Sequence, residues 1–162
     1  MTYAPPCFEA KIVPPDALAE RVAQLPRPLV FTNGCFDILH RGHVSYLAQA
    51  ASLGISLLVA VNSDASVKRL GKGDDRPVNG LENRMAVLAA LESVALVTWF
   101  DEDTPIERIR QTRPDVLVKG GDWSLEKIVG YTEVLGWGGR VHSIPFLHQT
   151  STTALLDKIR TL

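Results

Sequence analysis

The sequence is short of cysteine, short of net charge and without long apolar runs. Cys7 and Cys35 are the only two cysteines in 162 residues. Two thiols make neither a disulfide framework nor a cysteine-rich zinc site. Free thiols suit a reducing compartment, so a cytoplasmic location is expected and no protein metal site. Lys and Arg number 17, Asp and Glu 18, for a net charge of -1. That balance argues against a general electrostatic grip on nucleic acid, although it leaves room for a local basic cluster. No stretch approaches the roughly 18–20 apolar residues that span a bilayer, so no membrane partner is expected. Met1 to Glu9 lack the basic start and apolar middle of a signal peptide. Also missing are G-x-x-x-x-G-K-[ST], G-x-G-x-x-G and G-x-S-x-G. Their absence removes the P-loop, the dinucleotide fingerprint and the hydrolase elbow. A hydrophobic share of 46% excludes disorder in turn.

What is present is an alternation. Residues 1–27 are rich in proline and read as a lead-in carrying one short helix, Pro15 to Leu25, opened by Asp16. Residues 28–162 then read as one domain. Apolar runs at Pro28 to Thr32, Ser56 to Val61, Leu96 to Phe100, Asp115 to Lys119 and Gly139 to Ile144 predict buried strands. Helical spacing predicts Gly42 to Leu53, Asp64 to Leu70, Leu81 to Leu91, Pro105 to Gln111 and Thr152 to Arg160. Apolar strands alternating with helices imply an α/β fold, a Rossmann-like doubly wound parallel sheet with helices on both faces. Ligands of such sheets sit beyond the strand C-termini, near the switch point. Trp99, Trp137, Phe146 and the Val/Leu stripes read as core.

Chemistry therefore belongs after the strands. The first is followed by Thr32-Asn33-Gly34-Cys35-Phe36-Asp37 and then His40-Arg41-Gly42-His43. A helix start offers free N–H groups and a positive dipole end to an anion. Two histidines around Gly42 can both address one phosphate, with Gly42 letting it approach the backbone. A surface pair, or a metal site with a third ligand, stays open from these residues alone. Ser151-Thr152-Thr153 opens the last helix as a second phosphate-binding start or as a plain N-cap. Tandem Gly120-Gly121 after the fourth strand also permits close approach of a ligand. His142 and His148 read as packing or pocket-rim residues.

The run from Phe31 through His43 resembles the signature of the H-x-G-H nucleotidyltransferases. The resemblance continues through Val61-Asn62-Ser63-Asp64, Arg76-Pro77-Val78-Asn79, Glu82-Asn83-Arg84-Met85, Val118-Lys119-Gly120-Gly121-Asp122 and Ser151-Thr152-Thr153. It covers residues 28–160 and is strongest toward the heptose 1-phosphate adenylyltransferases. It implies adenylyl transfer from ATP to a sugar 1-phosphate, with Mg²⁺ carried on ATP and pyrophosphate released. The heptose adenylate would serve lipopolysaccharide or other surface-glycan synthesis.

The same resemblance implies catalytic roles for His40, His43, Lys72 and Arg84. It implies binding roles for Thr32, Asn33, Gly34, Phe36, Asp37, Gly42, Lys68, Lys119, Gly120, Asp122, Ser151, Thr152 and Thr153. A homo-oligomer and a separate sugar kinase and phosphatase are further expectations from it. Two readings compete: a cytidylyltransferase for glycerol phosphate or another polar alcohol phosphate, and a non-catalytic nucleotide-binding domain. Cytidylyltransferases carry an Arg shortly before their S-T-T. Phe146-Leu147-His148-Gln149-Thr150 has none, which weighs against cytosine. A non-catalytic domain would be expected to have lost a histidine, and both are present.

Overall fold

The apolar runs become five parallel strands in a single sheet. The computed structural model describes residues 3–71, 73, 75–148 and 150–162. The strands are β1 (Leu29–Gly34), β2 (Ser56–Asn62), β3 (Leu96–Phe100), β4 (Val116–Gly120) and β5 (Arg140–Ile144). Their order is β3-β2-β1-β4-β5, all parallel, so the direction of winding reverses between β1 and β4. The helices are α1 (Leu18–Ala23), α2 (Arg41–Ala51), α3 (Asp64–Arg69), α4 (Leu81–Ala89), α5 (Ile106–Thr112), α6 (Tyr131–Gly136) and α7 (Thr152–Arg160). Helices cover both faces, as expected for a doubly wound sheet. Among the described residues no helix is long and apolar enough to cross a membrane.

The period-2 alternation of a strand builds two separate cores. Val30, Leu57, Val59, Val97, Val116 and Val118 point to one face and pack with Leu47 and Ala50 of α2 and Leu88 of α4. Leu29, Phe31, Leu58, Leu96 and Leu117 point to the other, with Leu18 and Val22 of α1, Ile109 of α5 and Val134 of α6. Each such side chain, fully buried, contributes about 1.5–3 kcal/mol of burial free energy.

Several boundaries differ from the sequence expectation for physical reasons. α1 starts at Leu18 because Asp16 Oδ1 accepts from the adjacent Ala17 N–H at 2.9 Å and caps nothing further along. β1 runs on through Asn33 and Gly34, because Ala60 and Val61 of β2 remain in register beside them. α2 begins one residue earlier, at Arg41, which makes His40 its N-cap residue and puts His43 in its first turn. α6 is absent from the expectation altogether. It is only six residues long, buries only Val134, and lies between Gly130 and Gly138, both at positive φ. The proline-rich lead-in reaches the sheet edge. Ile12 bridges Val97 and Val13 N–H donates to the Val97 carbonyl at 2.9 Å, with Val13 buried.

Candidate active site

The crest of β1 divides the strand ends into two cavities. At the C-terminal ends, Asn33, Asn62, Phe100 and Lys119 fall on the Phe31 face of the sheet by alternation. These four line one cavity of about 330 Å³, together with Cys35, Trp123 and Lys127. The other face carries the histidine motif. A second cavity of about 490 Å³ is lined there by His40, His43, Arg76, Phe146, Thr150, Ser151, Thr152 and Thr153. A further open depression of about 590 Å³ lies between Pro15, Asp16 and α5 and holds none of the strand-end residues. The reactive geometry favours the two smaller ones.

The histidines are fixed by stacking. The His40 and His43 rings lie with centroids 3.8 Å apart and planes 23° from parallel. Phe36 sets its ring edge-on to His43 at 5.3 Å, from a backbone with φ of 47°. That left-handed conformation is costly for a non-glycine residue and is held by the surrounding structure. Burial pushes the His43 pKa down from 6.5 to about 4, helped by the neighbouring His40 and partly opposed by the nearby Ile38 carbonyl. Burial lowers His40 as well. Both rings are therefore neutral donors near pH 7. Each Nδ1 is buried with no partner of hydrogen-bond geometry among the described residues.

This depressed pKa has a measurable consequence. Above pH 6.5, His43 is neutral whether the chain is folded or not, so it leaves stability unchanged. Between 6.5 and about 4 only the unfolded chain takes up the proton, so folding is expected to weaken as pH falls through that window. Melting temperature against pH should therefore fall less steeply for His43→Phe than for the wild type. Superimposable curves would show that His43 burial makes no such contribution.

Arg76 joins this cavity, although no site role was expected of it. Its guanidinium is nearly buried and Nε donates to Asp37 Oδ2. Asp37 Oδ1 accepts from the Val78 and Asn79 N–H groups at 2.9 Å each, and the Asn79 amide donates to the Asp37 carbonyl at 2.7 Å. Burial would raise the Asp37 pKa. The Asn79 and Val78 amides and the Arg76 cation outweigh it and hold the carboxyl below its usual value. Asp37 thus folds the 76–79 loop back over the histidine motif and leaves one cation beside the two rings.

The remaining expected site residues divide. Ser151 and Thr152 reach the histidine cavity with Thr153. Ser151 Oγ accepts from Ala154 N–H at 3.1 Å and is the N-cap of α7. Asn33, Gly34 and Lys119 reach the other cavity, with Lys119 Nζ 3.5 Å from the Asn33 carbonyl. Thr32 reaches neither. It is fully buried, sharing a 2.6 Å hydrogen bond with the Tyr46 hydroxyl, whose Oη also donates to the Val118 carbonyl at 3.3 Å. Lys68 is exposed on the last turn of α3, outside both cavities, and Asp122 is exposed beyond β4. Lys72 lies outside the described residues.

Arg84 is also removed from the cavities with the histidines and lysine. Its guanidinium is fully buried. Nε donates to the Asn79 carbonyl at 2.9 Å, Nη1 to the Cys35 carbonyl at 2.6 Å, and Nη2 to the Asn62 carbonyl at 2.8 Å and Asp64 Oδ1 at 2.7 Å. It ties the loop after β1 to the loops after β2 and before α4.

Two of the expected glycines sit in close quarters. A Cβ on Gly42 would lie 3.0 Å from the His40 ring and 3.1 Å from the His148 carbonyl. A side chain at position 42 would therefore crowd these groups. A Cβ on Gly120 would lie 2.9 Å from Phe146. Phe146 itself, expected in the core, is 45% exposed, because it follows β5 beyond the last strand pairing. Trp99 and Trp137 pack partly buried against the cores, and His142 and His148 are half-buried. No group of three or more His, Cys, Asp or Glu side chains among the described residues could hold a metal ion.

Paired helix starts, two stacked neutral imidazoles and an adjacent arginine come together at the switch point of a parallel sheet. Residues 31–154 match the cytidylyltransferase-like family, and the chain belongs to it. It is 59% identical over 155 residues to the D-beta-D-heptose 1-phosphate adenylyltransferase of Bordetella bronchiseptica, covering 94% of this chain and 96% of that protein. It is also 59% identical over 132 residues to the bifunctional protein HldE of Hahella chejuensis, covering 82% of this chain and 28% of that longer protein. Among solved structures, the lipopolysaccharide core biosynthesis protein of Thermoplasma volcanium superimposes with a TM-score of 0.62 at 25% identity. That match covers 75% of this chain and 98% of the other.

Proposed function

We propose that this chain transfers the adenylyl group of ATP to a heptose 1-phosphate, yielding ADP-heptose and pyrophosphate for lipopolysaccharide or other surface-glycan synthesis. The observation that carries the reading is the pair of cavities on either side of the β1 crest, one of them lined by the two histidines, Arg76 and the start of α7. The 59% likeness to a heptose 1-phosphate adenylyltransferase along nearly its whole length supports the choice of substrates.

In this reading the triphosphate of ATP lies across the starts of α2 and α7, with Arg76 beside it. The acceptor lies in the 330 Å³ cavity, where the Asn33 and Asn62 side chains suit sugar hydroxyls and Lys119 suits the phosphate. A phosphate monoester has a second pKa near ~6, so the attacking oxygen is largely ionised at neutral pH and needs no general base. That oxygen attacks the α-phosphorus, the bond from the α-phosphorus to the bridging oxygen of the β-phosphate breaks, and pyrophosphate leaves with the electron pair. His40 and His43, neutral and pre-stacked, donate hydrogen bonds to the charge that develops on the phosphates. Mg²⁺ carried on ATP would be held mainly by phosphate oxygens and water and would offset the triphosphate charge. A sugar kinase would supply the 1-phosphate; the chain matches about a third or less of the length of its bifunctional relatives.

Pyrophosphate release over a panel of nucleoside triphosphates and phosphorylated acceptors tests the reading. ATP with heptose 1-phosphate is expected to give the highest kcat/KM. CTP with glycerol phosphate giving the highest value would replace it with a cytidylyltransferase. No release with any pair would leave a binding domain.

A further inference from the structure

We infer that Phe146 is the base-stacking residue of the nucleotide cavity and sets its preference for a purine. The inference rests on the nucleotidyl-transfer reading and deepens it. If the triphosphate occupies the helix starts and Arg76, the base must find its surface elsewhere in the same cavity. His40, His43, Arg76, Thr150, Ser151, Thr152 and Thr153 are polar, and the two imidazoles are stacked on each other. Phe146 is the one large apolar side chain lining that cavity among the described residues.

Its placement suits the role. The ring leans on the β4 end, 2.9 Å from where a Gly120 Cβ would stand, and meets Tyr46 edge-to-face at 5.7 Å and 68°. Tyr46 is in turn buried and tied by its hydroxyl to Thr32 and Val118. The phenyl group is therefore backed by fixed groups while almost half of its surface stays exposed. The uncovered part of the ring belongs to the lining of the histidine cavity. Phe146 also precedes Ser151, the N-cap of α7, by only five residues, so a single short connection carries both the ring and a phosphate-binding helix start. Adenine offers a two-ring face to the phenyl group and cytosine a one-ring face, so stacking rewards the purine more. Gly120 contributes by leaving the ring room rather than by touching the base.

The test compares Phe146→Leu, Phe146→Ala and Phe146→Tyr in steady-state turnover with ATP and CTP at saturating heptose 1-phosphate. Leu keeps the bulk without the π-face and Tyr keeps the π-face. Leu and Ala are expected to raise KM for ATP about tenfold or more, with less change in kcat and a smaller ATP-over-CTP ratio in kcat/KM. Tyr is expected to behave as wild type. A Leu variant that keeps the wild-type ratio would overturn the inference. Calorimetric titration of ATP and CTP into the same variants gives a readout independent of turnover. Wild-type protein that forms no ADP-heptose would defeat the function proposed above, whereas equal ATP affinity in wild type and Phe146→Leu would defeat this inference alone. Should Leu and Ala melt below assay temperature, Phe146→Trp replaces them. ATP should quench its added fluorescence more than CTP does, and an unresponsive tryptophan would overturn the role.

Discussion

His43→Ala is expected to lower kcat about a hundredfold or more while KM for ATP changes by less than about threefold, because one donor to transition-state charge is lost. The imidazole cannot be replaced casually by water. His43 is held between His40 at 3.8 Å and the Phe36 edge at 5.3 Å, so its donor direction is set before any substrate arrives. Its low pKa matters as well, since two charged imidazoles stacked this closely would repel each other and the neutral pair does not. Single-turnover pyrophosphate release at saturating ATP separates the chemical step from binding. Wild-type turnover in a His40→Ala, His43→Ala double variant would sink the mechanism.

Arg84→Ala is expected to produce the largest loss of stability, about 3–5 kcal/mol, by stranding buried acceptors. Its melting temperature should fall by about 10 °C. The carbonyls of Asn79, Cys35 and Asn62 would each lose a donor, and the side chain's volume would be left as a cavity. Arg84→Lys should rescue little, because one ammonium cannot span four acceptors arranged around a planar guanidinium. Thermal melts of both variants check this. An Arg84→Ala protein that melts like wild type yet turns over slowly would instead put the guanidinium on substrate, the catalytic role its family resemblance implies.

Much of this arrangement is legible in the amino-acid order alone. The five apolar runs imply the parallel sheet, since each is too short for a helix and helical periods separate all but the last two. The histidine motif, placed after a strand and at a helix start, already reads as a site for an anion. Arg84 carries two signals that conflict. It lies three residues after Leu81 and four before Leu88 on α4, so spacing implies burial while the resemblance draws it toward substrate. Arg76 has no comparable local signal. Its place depends on Asp37, 39 residues earlier, folding the loop back. Phe146 defeats the equation of apolar identity with burial, because the chain has already left the sheet where it stands. α6 escapes notice because a six-residue helix between glycines offers too little periodicity to register.

The alternation at the strand ends has a consequence for how such an enzyme could change its chemistry. Thr32 and Asn33 are neighbours in the chain, yet one faces the core beneath α2 and the other the 330 Å³ cavity. The same parity separates Val61 from Asn62 and Val118 from Lys119. A substitution at Asn33, Asn62 or Lys119 alters one chamber without placing a new side chain in the other. Each pocket can accordingly be redesigned, or drift through mutation, under nearly independent selection. A single β-strand scaffold can trade one acceptor for another while its nucleotide chemistry is inherited intact.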